Sequence, residues 1–146
     1  MIFKRHLTVI AFFSALAAVT PAAFAGNFQK GVEHSNRGEY SEAAELLKKA
    51  IAEDSSNQGA YLALGIALIN MHRANEALPY IERAVQLDPR SRKAFFILAR
   101  LYEGNNQANR AIDAWEKYLT LNPSGKYHRI ALRHLERLKE NNGLHK

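Results

Sequence analysis

Apolar and polar positions between residues 58 and 124 follow one pattern written twice. The first copy is Tyr61, Leu64, Gly65 and Leu68, then Ala77, Ile81 and Ala84, then Asp88-Pro89. Thirty-four residues later come Phe95, Leu98, Ala99 and Tyr102, then Ala111, Trp115 and Tyr118, then Asn122-Pro123. Within each copy the apolar residues recur at three and four, the period of a helix with one buried face. The same spacing runs through Ala43, Leu46, Leu47, Ala50 and Ile51. Breaks fall between these runs, at Gly38, Ser55-Ser56-Asn57, His72-Arg73-Ala74, Asp88-Pro89, Gly104-Asn105-Asn106 and Asn122-Pro123. Proline drives the residue before it out of the helical region, and glycine and asparagine suit tight turns. The pattern therefore predicts seven helices, over 27–37, 41–54, 58–71, 75–88, 92–104, 108–121 and 125–141. Pro79 is expected in the first turn of its helix, where a missing amide proton costs little.

A fixed period of 34 is the mark of a solenoid of helix–turn–helix units. One such unit cannot bury its apolar face alone, so neighbours must stack, and stacking creates a curved surface. The spacing resembles the tetratricopeptide repeat (TPR) family, whose pattern sets aromatic residues, Leu-Gly, Ala, a large apolar residue and Pro at these offsets. Stepping back by 34 gives a weaker first unit with Gly31, Gly38, Tyr40, Ala43, Leu47 and Ala50. Asn27 and Lys30 stand there where the later units have aromatic residues and leucine, and Ser55 replaces the proline. The resemblance covers residues 26–124. It implies an all-α, right-handed superhelix of three units, about 26–57, 58–91 and 92–124. A capping helix over 125–141 and a short disordered tail would follow. Small residues would allow close helix packing at Gly31, Ala43, Ala50, Gly65, Ala77, Ala84, Ala99 and Ala111. Tyr127, Ile130, Ala131, Leu135 and Leu138 would form the stripe that covers the end of unit three.

The chain begins differently. Lys4 and Arg5 precede an apolar run from Leu7 to Ala18, broken only by Thr8 and Ser14, and Ala23-Phe24-Ala25 is a small-x-small site. That is the layout of a cleavable signal peptide over residues 1–25. The run is shorter than the roughly 20 residues that span a bilayer. Cleavage near Ala25 would leave 121 residues without a transmembrane anchor, located in the periplasm or secreted. The preference for the periplasm rests on the resemblance to exported repeat adaptors. The chain has no cysteine, so it lacks disulfides, a thiol nucleophile and a site for lipid attachment.

Charge is unevenly placed. Residues 26–125 hold 12 basic and 12 acidic residues, while 126–146 hold six basic against two acidic. In that tail Arg129, Arg133 and Arg137 lie four apart, on one helical face. Such a stripe suits an acidic partner or anionic lipid, or is simply the solvated face of a cap. Nucleic acid is a poor match for an exported chain with no visible binding motif.

Function classes follow. The histidines beyond the signal, His34, His72, His128, His134 and His145, form no HExxH motif or i, i+4 pair. No glycine-rich phosphate loop is present. No enzyme activity, cofactor or metal is expected. In the resembled family the first helix of each pair lines a concave groove. By register its groove residues are Phe28, Val32, Ser35 and Asn36, then Leu62, Ile66, Ile69 and Asn70, then Lys93, Phe96, Arg100 and Glu103. A family subclass clamps a terminal carboxylate with Lys and Asn. Here Phe28, Leu62 and Phe96 stand where its first basic residue would be. The groove instead has an apolar floor, with Asn36 and Asn70 as hydrogen-bonding points and Lys93 and Arg100 at one end. That floor suits an amphipathic helix or an apolar stretch of chain, with Leu62, Ile66 and Phe96 as anchors. Packing against neighbouring helices, or cover by a second copy of the chain, would use the same residues. The expected role is an adaptor for one or more envelope proteins. The alternative is an assembly factor of pilus or secretion machinery, docking through the basic last helix.

Overall fold

The computed structural model describes residues 21–143, with side chains from Gly26 onward. The expected signal segment lies outside this span except for 21–25, which open the first helix. Seven helices follow in order: α1 Pro21–Asn36, α2 Tyr40–Glu53, α3 Gln58–Asn70, α4 Ala74–Leu87, α5 Arg92–Gly104, α6 Ala108–Leu121 and α7 His128–Asn141. Each packs on the next along the chain, and α1 also touches α3. The described residues form an all-α solenoid of three antiparallel pairs, α1–α2, α3–α4 and α5–α6, closed by α7.

Each pair closes over a small residue. A Cβ built on Gly31 would meet Leu47 Cγ at 2.7 Å, and one on Gly65 would meet Ile81 Cγ1 at 2.7 Å. Unit three has Ala99 and Trp115 at these register positions. Leu47, Ile81 and Trp115 are three of the four largest fully buried side chains. Ala43, Ala50, Ala77, Ala84, Ala99 and Ala111 are also buried. A larger side chain at such positions pushes packed helices apart.

The turns inside the units repeat as well. Gly38, His72 and Asn106 lie 34 apart, with φ of 81°, 60° and 56°. The amides of Glu39, Arg73 and Gln107 then reach back to the carbonyls of His34, Leu68 and Tyr102 at 2.9–3.0 Å. This left-handed residue ends the helix and satisfies its last carbonyls. Only unit one uses glycine there. Between units, the Asp54 and Asp88 carboxylates accept the amides of Ser56 and Arg90, each at 2.9 Å. The Asp54 carboxyl is held below its ordinary range by hydrogen bonds from Ser56.

Three expectations change. Pro79 is the sixth residue of α4 rather than in its first turn. It removes the bond that would reach the Asn75 carbonyl, and both residues are exposed, so water can take its place. The last helix begins at His128, so Tyr127 is its N-cap and not a member of its stripe. Ala131 and Leu135 are buried, but Tyr127 and Ile130 are 43% and 39% exposed. Ile130 has no place in the core cluster, whereas the Tyr127 ring lies 5.4 Å from that of Phe96 and so still meets unit three.

Units two and three are also joined by a polar cluster. The Tyr102 hydroxyl donates to Glu82 at 2.8 Å and Arg110 Nη2 donates to the same oxygen at 2.7 Å. The Arg110 guanidinium lies 4.3 Å above the Tyr102 ring. Burial, then the bond to the Glu82 carboxylate, push the Tyr102 phenol up to about 12.

Gly65→Leu should lower stability by about 1–3 kcal/mol through overpacking. Gly104→Ala, where an added Cβ meets nothing within 4 Å, should raise it by about 0.5–1 kcal/mol through helix propensity. Denaturant midpoints of the two variants check the close approach at Gly65. A second prediction concerns pH. A phenol raised above its unfolded value of about 10 stabilises the fold fully below that pH and loses its contribution as pH rises through 12. Stability should therefore fall more steeply between pH 10 and 12 in the native protein than in Tyr102→Phe, as measured by urea titration.

Candidate partner-binding groove

The first helices of the pairs, α1, α3 and α5, turn their outer residues to a common face. Helix α3 has no charged residue along its length. A helix that is apolar all round needs cover on both sides. Ala60, Leu64, Ala67 and Leu68 supply the core side. Leu62, Ile66 and Ile69 face away and are half-buried.

Three hollows lie along this face. The first, of about 200 Å³, is walled by Phe28, Val32, Ser35 and Asn36 of α1 and by Leu62 and Ile66 of α3, with Lys93 at its edge. The second, of about 360 Å³, lies among Ile69, Phe96, Ile97, Arg100 and Leu101. The third, of about 410 Å³, is lined by Arg92, Lys93, Phe96, Tyr118, Asn122, Gly125, Lys126 and Tyr127. Lys93 borders the first and third hollows, and Phe96 the second and third. The structure thus places ten of the twelve expected groove residues along these hollows.

Asn70 and Glu103 are the exceptions. The Asn70 Nδ2 donates one of its two protons to the Ile66 carbonyl of its own helix at 3.0 Å, which leaves its second N–H and its Oδ1 for other partners. Glu103, expected on the same face, is drawn under α7. Its carboxylate accepts from Trp115 Nε1 at 2.9 Å, pairs with His134 Nδ1 at 2.8 Å and meets Arg137 Nη2 at 3.4 Å. His134 also stacks on Trp115, ring centroids 5.2 Å apart. The basic stripe is therefore divided. Arg137 is tied to Glu103, while Arg129 and Arg133 are exposed and form no ion pair among the described residues.

Among the apolar groove residues, Phe28, Leu62, Ile69 and Phe96 also pack against the core cluster. Phe96 sits among Trp115, Tyr118 and Tyr127, at centroid distances of 5.2, 5.3 and 5.4 Å. Val32 and Ile66 have no place in that cluster and line the first hollow. Sequence reasoning missed the third hollow. A signal was present: the connection after α6 runs from Asn122 to Tyr127, longer than the one after α4, and carries Gly125 and Lys126.

Among the described residues no group of three or more His, Asp or Glu could hold a metal ion, and no helix is long and apolar enough to cross a membrane.

Two family models described as tetratricopeptide repeat match residues 37–78 and 62–126. No curated protein matches the chain. Among solved structures, MamA is similar at 25% identity and a TM-score of 0.75, over 85% of this chain and 71% of that one. The second TPR domain of human RPAP3, solved with an HSP70 peptide, shares 25% identity at a TM-score of 0.71, over 82% and 98%. The Yersinia enterocolitica secretion chaperone SycD, solved with a peptide of the translocator YopD, is 14% identical at a TM-score of 0.74, over 86% and 98%. At that last identity the likeness is one of fold. The two family models together span residues 37–126, and the chain belongs to the tetratricopeptide repeat family.

Proposed function

We propose that the protein is an adaptor of the bacterial cell envelope that holds a segment of a partner protein along the face of α1, α3 and α5. The observation that carries this reading is α3. A helix without a charged residue keeps Leu62 and Ile66 in the wall of an open hollow. Water is a poor cover for such a surface, and apolar side chains of a partner are a good one. Groove recognition of this type anchors a few apolar residues and leaves the rim polar. The likeness to domains solved with peptides of their partners supports the same reading. The envelope assignment rests on the signal-like residues 1–25. The reading gives the protein a binding role and assigns no reaction, cofactor or metal.

A second reading, docking of α7 to an acidic partner or membrane during assembly of a pilus or secretion machine, is favoured by the exposed Arg129, Ile130 and Arg133. It uses a different face, so variants separate the two.

Ile66→Glu alters the groove without touching the core cluster. It should leave helical circular dichroism unchanged and weaken partner capture from an envelope extract about 30-fold, the loss of one anchor worth about 2 kcal/mol. Equal capture by the native protein and this variant, with loss in Arg129→Glu/Arg133→Glu, would transfer function to α7. For location, full-length protein expressed in a Gram-negative host should appear in the periplasmic fraction with the mass of a chain starting at Gly26. Recovery of the uncut chain from the cytoplasm would reject export.

A further inference from the structure

The groove carries a charge as well as an apolar floor. No Asp or Glu lines any of its three hollows, whereas Arg92, Lys93, Arg100 and Lys126 do. None of these four cations forms an ion pair among the described residues. Over 26–125 the chain holds 12 basic and 12 acidic residues, with Arg92, Lys93 and Arg100 among the basic ones, and away from the groove several charges pair locally, as in Arg73–Glu76, Lys48–Glu45 and Arg110–Glu82. The single acid expected on this face, Glu103, is engaged beneath α7. The cations thus gather where no carboxylate of the chain answers them.

Three of the four meet at the third hollow. Its walls are the rings of Phe96, Tyr118 and Tyr127. Tyr127 is one of just two large apolar residues exposed among those described. The Tyr118 hydroxyl accepts from Asn122 Nδ2 at 2.7 Å, which leaves its own proton to donate. Lys126 Nζ stands 5.2 Å from the Tyr127 ring centre. Aromatic walls rimmed by cations accept an apolar side chain flanked by carboxylates. Resting on the adaptor reading above, we propose that the partner is an internal protein segment with acidic side chains. One of its aromatic or large aliphatic residues sits between α5 and the α6–α7 connection, and its carboxylates meet Arg92, Lys93 and Lys126. The rest of the segment runs over Phe96 toward Ile66. Field complementarity of this kind selects partners by sign and speeds encounter.

The test uses the purified protein and three capped peptides of equal length, each with two phenylalanines set among glutamates, glutamines or lysines. Capping both ends removes the terminal carboxylate as a source of charge. Calorimetry should show the glutamate peptide binding at least tenfold more tightly than the glutamine peptide, with no binding of the lysine peptide. Arg92→Glu/Lys126→Glu should reverse that order, and Ile66→Glu should weaken the glutamate and glutamine peptides alike. Equal binding of these two peptides, both sensitive to Ile66→Glu, would overturn the acidic partner and leave the groove reading intact. Glutamate-selective binding that ignores Ile66→Glu would keep the cationic hollow and overturn the groove path. Binding that needs an uncapped C-terminus would assign the cations to a chain end and reject the internal segment. Cosedimentation with phosphatidylserine vesicles, lost in Arg92→Glu/Lys126→Glu and without peptide binding, would make the surface a lipid site. A dimer in sedimentation that these substitutions dissolve would make the occupant a second copy; either result rejects the proposal.

Discussion

The whole array depends on how closely the two helices of a unit approach. Gly31 lies against Leu47 and Gly65 against Ile81, with no room for a β-carbon. That contact fixes the spacing within a pair and so fixes which residues of α1, α3 and α5 are left facing outward. A solenoid has no distant contacts to correct an error, because each unit touches only its neighbours. A shift at one glycine would pass directly into the curvature of the groove. Function and packing are therefore not separate properties of α3. Gly65 and Leu64 hold the inner side, and the same rigid placement presents Leu62 and Ile66 on the outer one.

Charge follows a second logic. The pairs on the outer surface, such as Arg73 with Glu76 and Lys48 with Glu45, are exposed and contribute little to stability. The polar contacts that matter more are half-buried and link elements. Glu82 joins α4 to Tyr102 of α5 and Arg110 of α6. Glu103 joins α5 to Trp115 of α6 and to His134 and Arg137 of α7. Each carboxylate gathers several donors at a seam between helices, where desolvation makes an unanswered partner costly. Drawing Glu103 into such a seam also removes the groove's one acid, so the support of the capping helix and the positive sign of the groove come from one side chain.

The period of 34 made the fold legible because it records a contact repeated in every unit. Seven helices were visible, and five begin within one residue of their expected starts, while α1 begins earlier, at Pro21 rather than 27, and α7 later, at His128 rather than 125. What stayed hidden was set by geometry that periodicity does not carry. A turn was expected at His72, but its left-handed backbone was not, because histidine does not mark that conformation as Gly38 and Asn106 do. Pro79 sits deeper in α4 than a strong helix would normally allow, tolerated because its neighbouring carbonyl faces water. The residues that line the hollows from α1, α3 and α5 were readable by register, yet Asn70 bonds to its own helix, and in the basic stripe Arg137 pairs with Glu103. Those choices depend on rotamers and neighbours, which one sequence does not display. The third hollow escaped because loop length, rather than a motif, creates it.

The capping helix has a further consequence. It buries only Ala131 and Leu135, whereas α5 and α6 each bury five residues. At the other end α1 buries only Gly31 among residues 26–36, so both ends are parts of a linear array that open readily by thermal fluctuation. Yet the connection leading into α7, with Lys126 and Tyr127, forms one wall of the third hollow. Opening of the terminus and emptiness of that hollow are then linked events. Whatever occupies it would act as a splint on the fraying end, and amide hydrogen exchange along 128–141 would slow in proportion to occupancy.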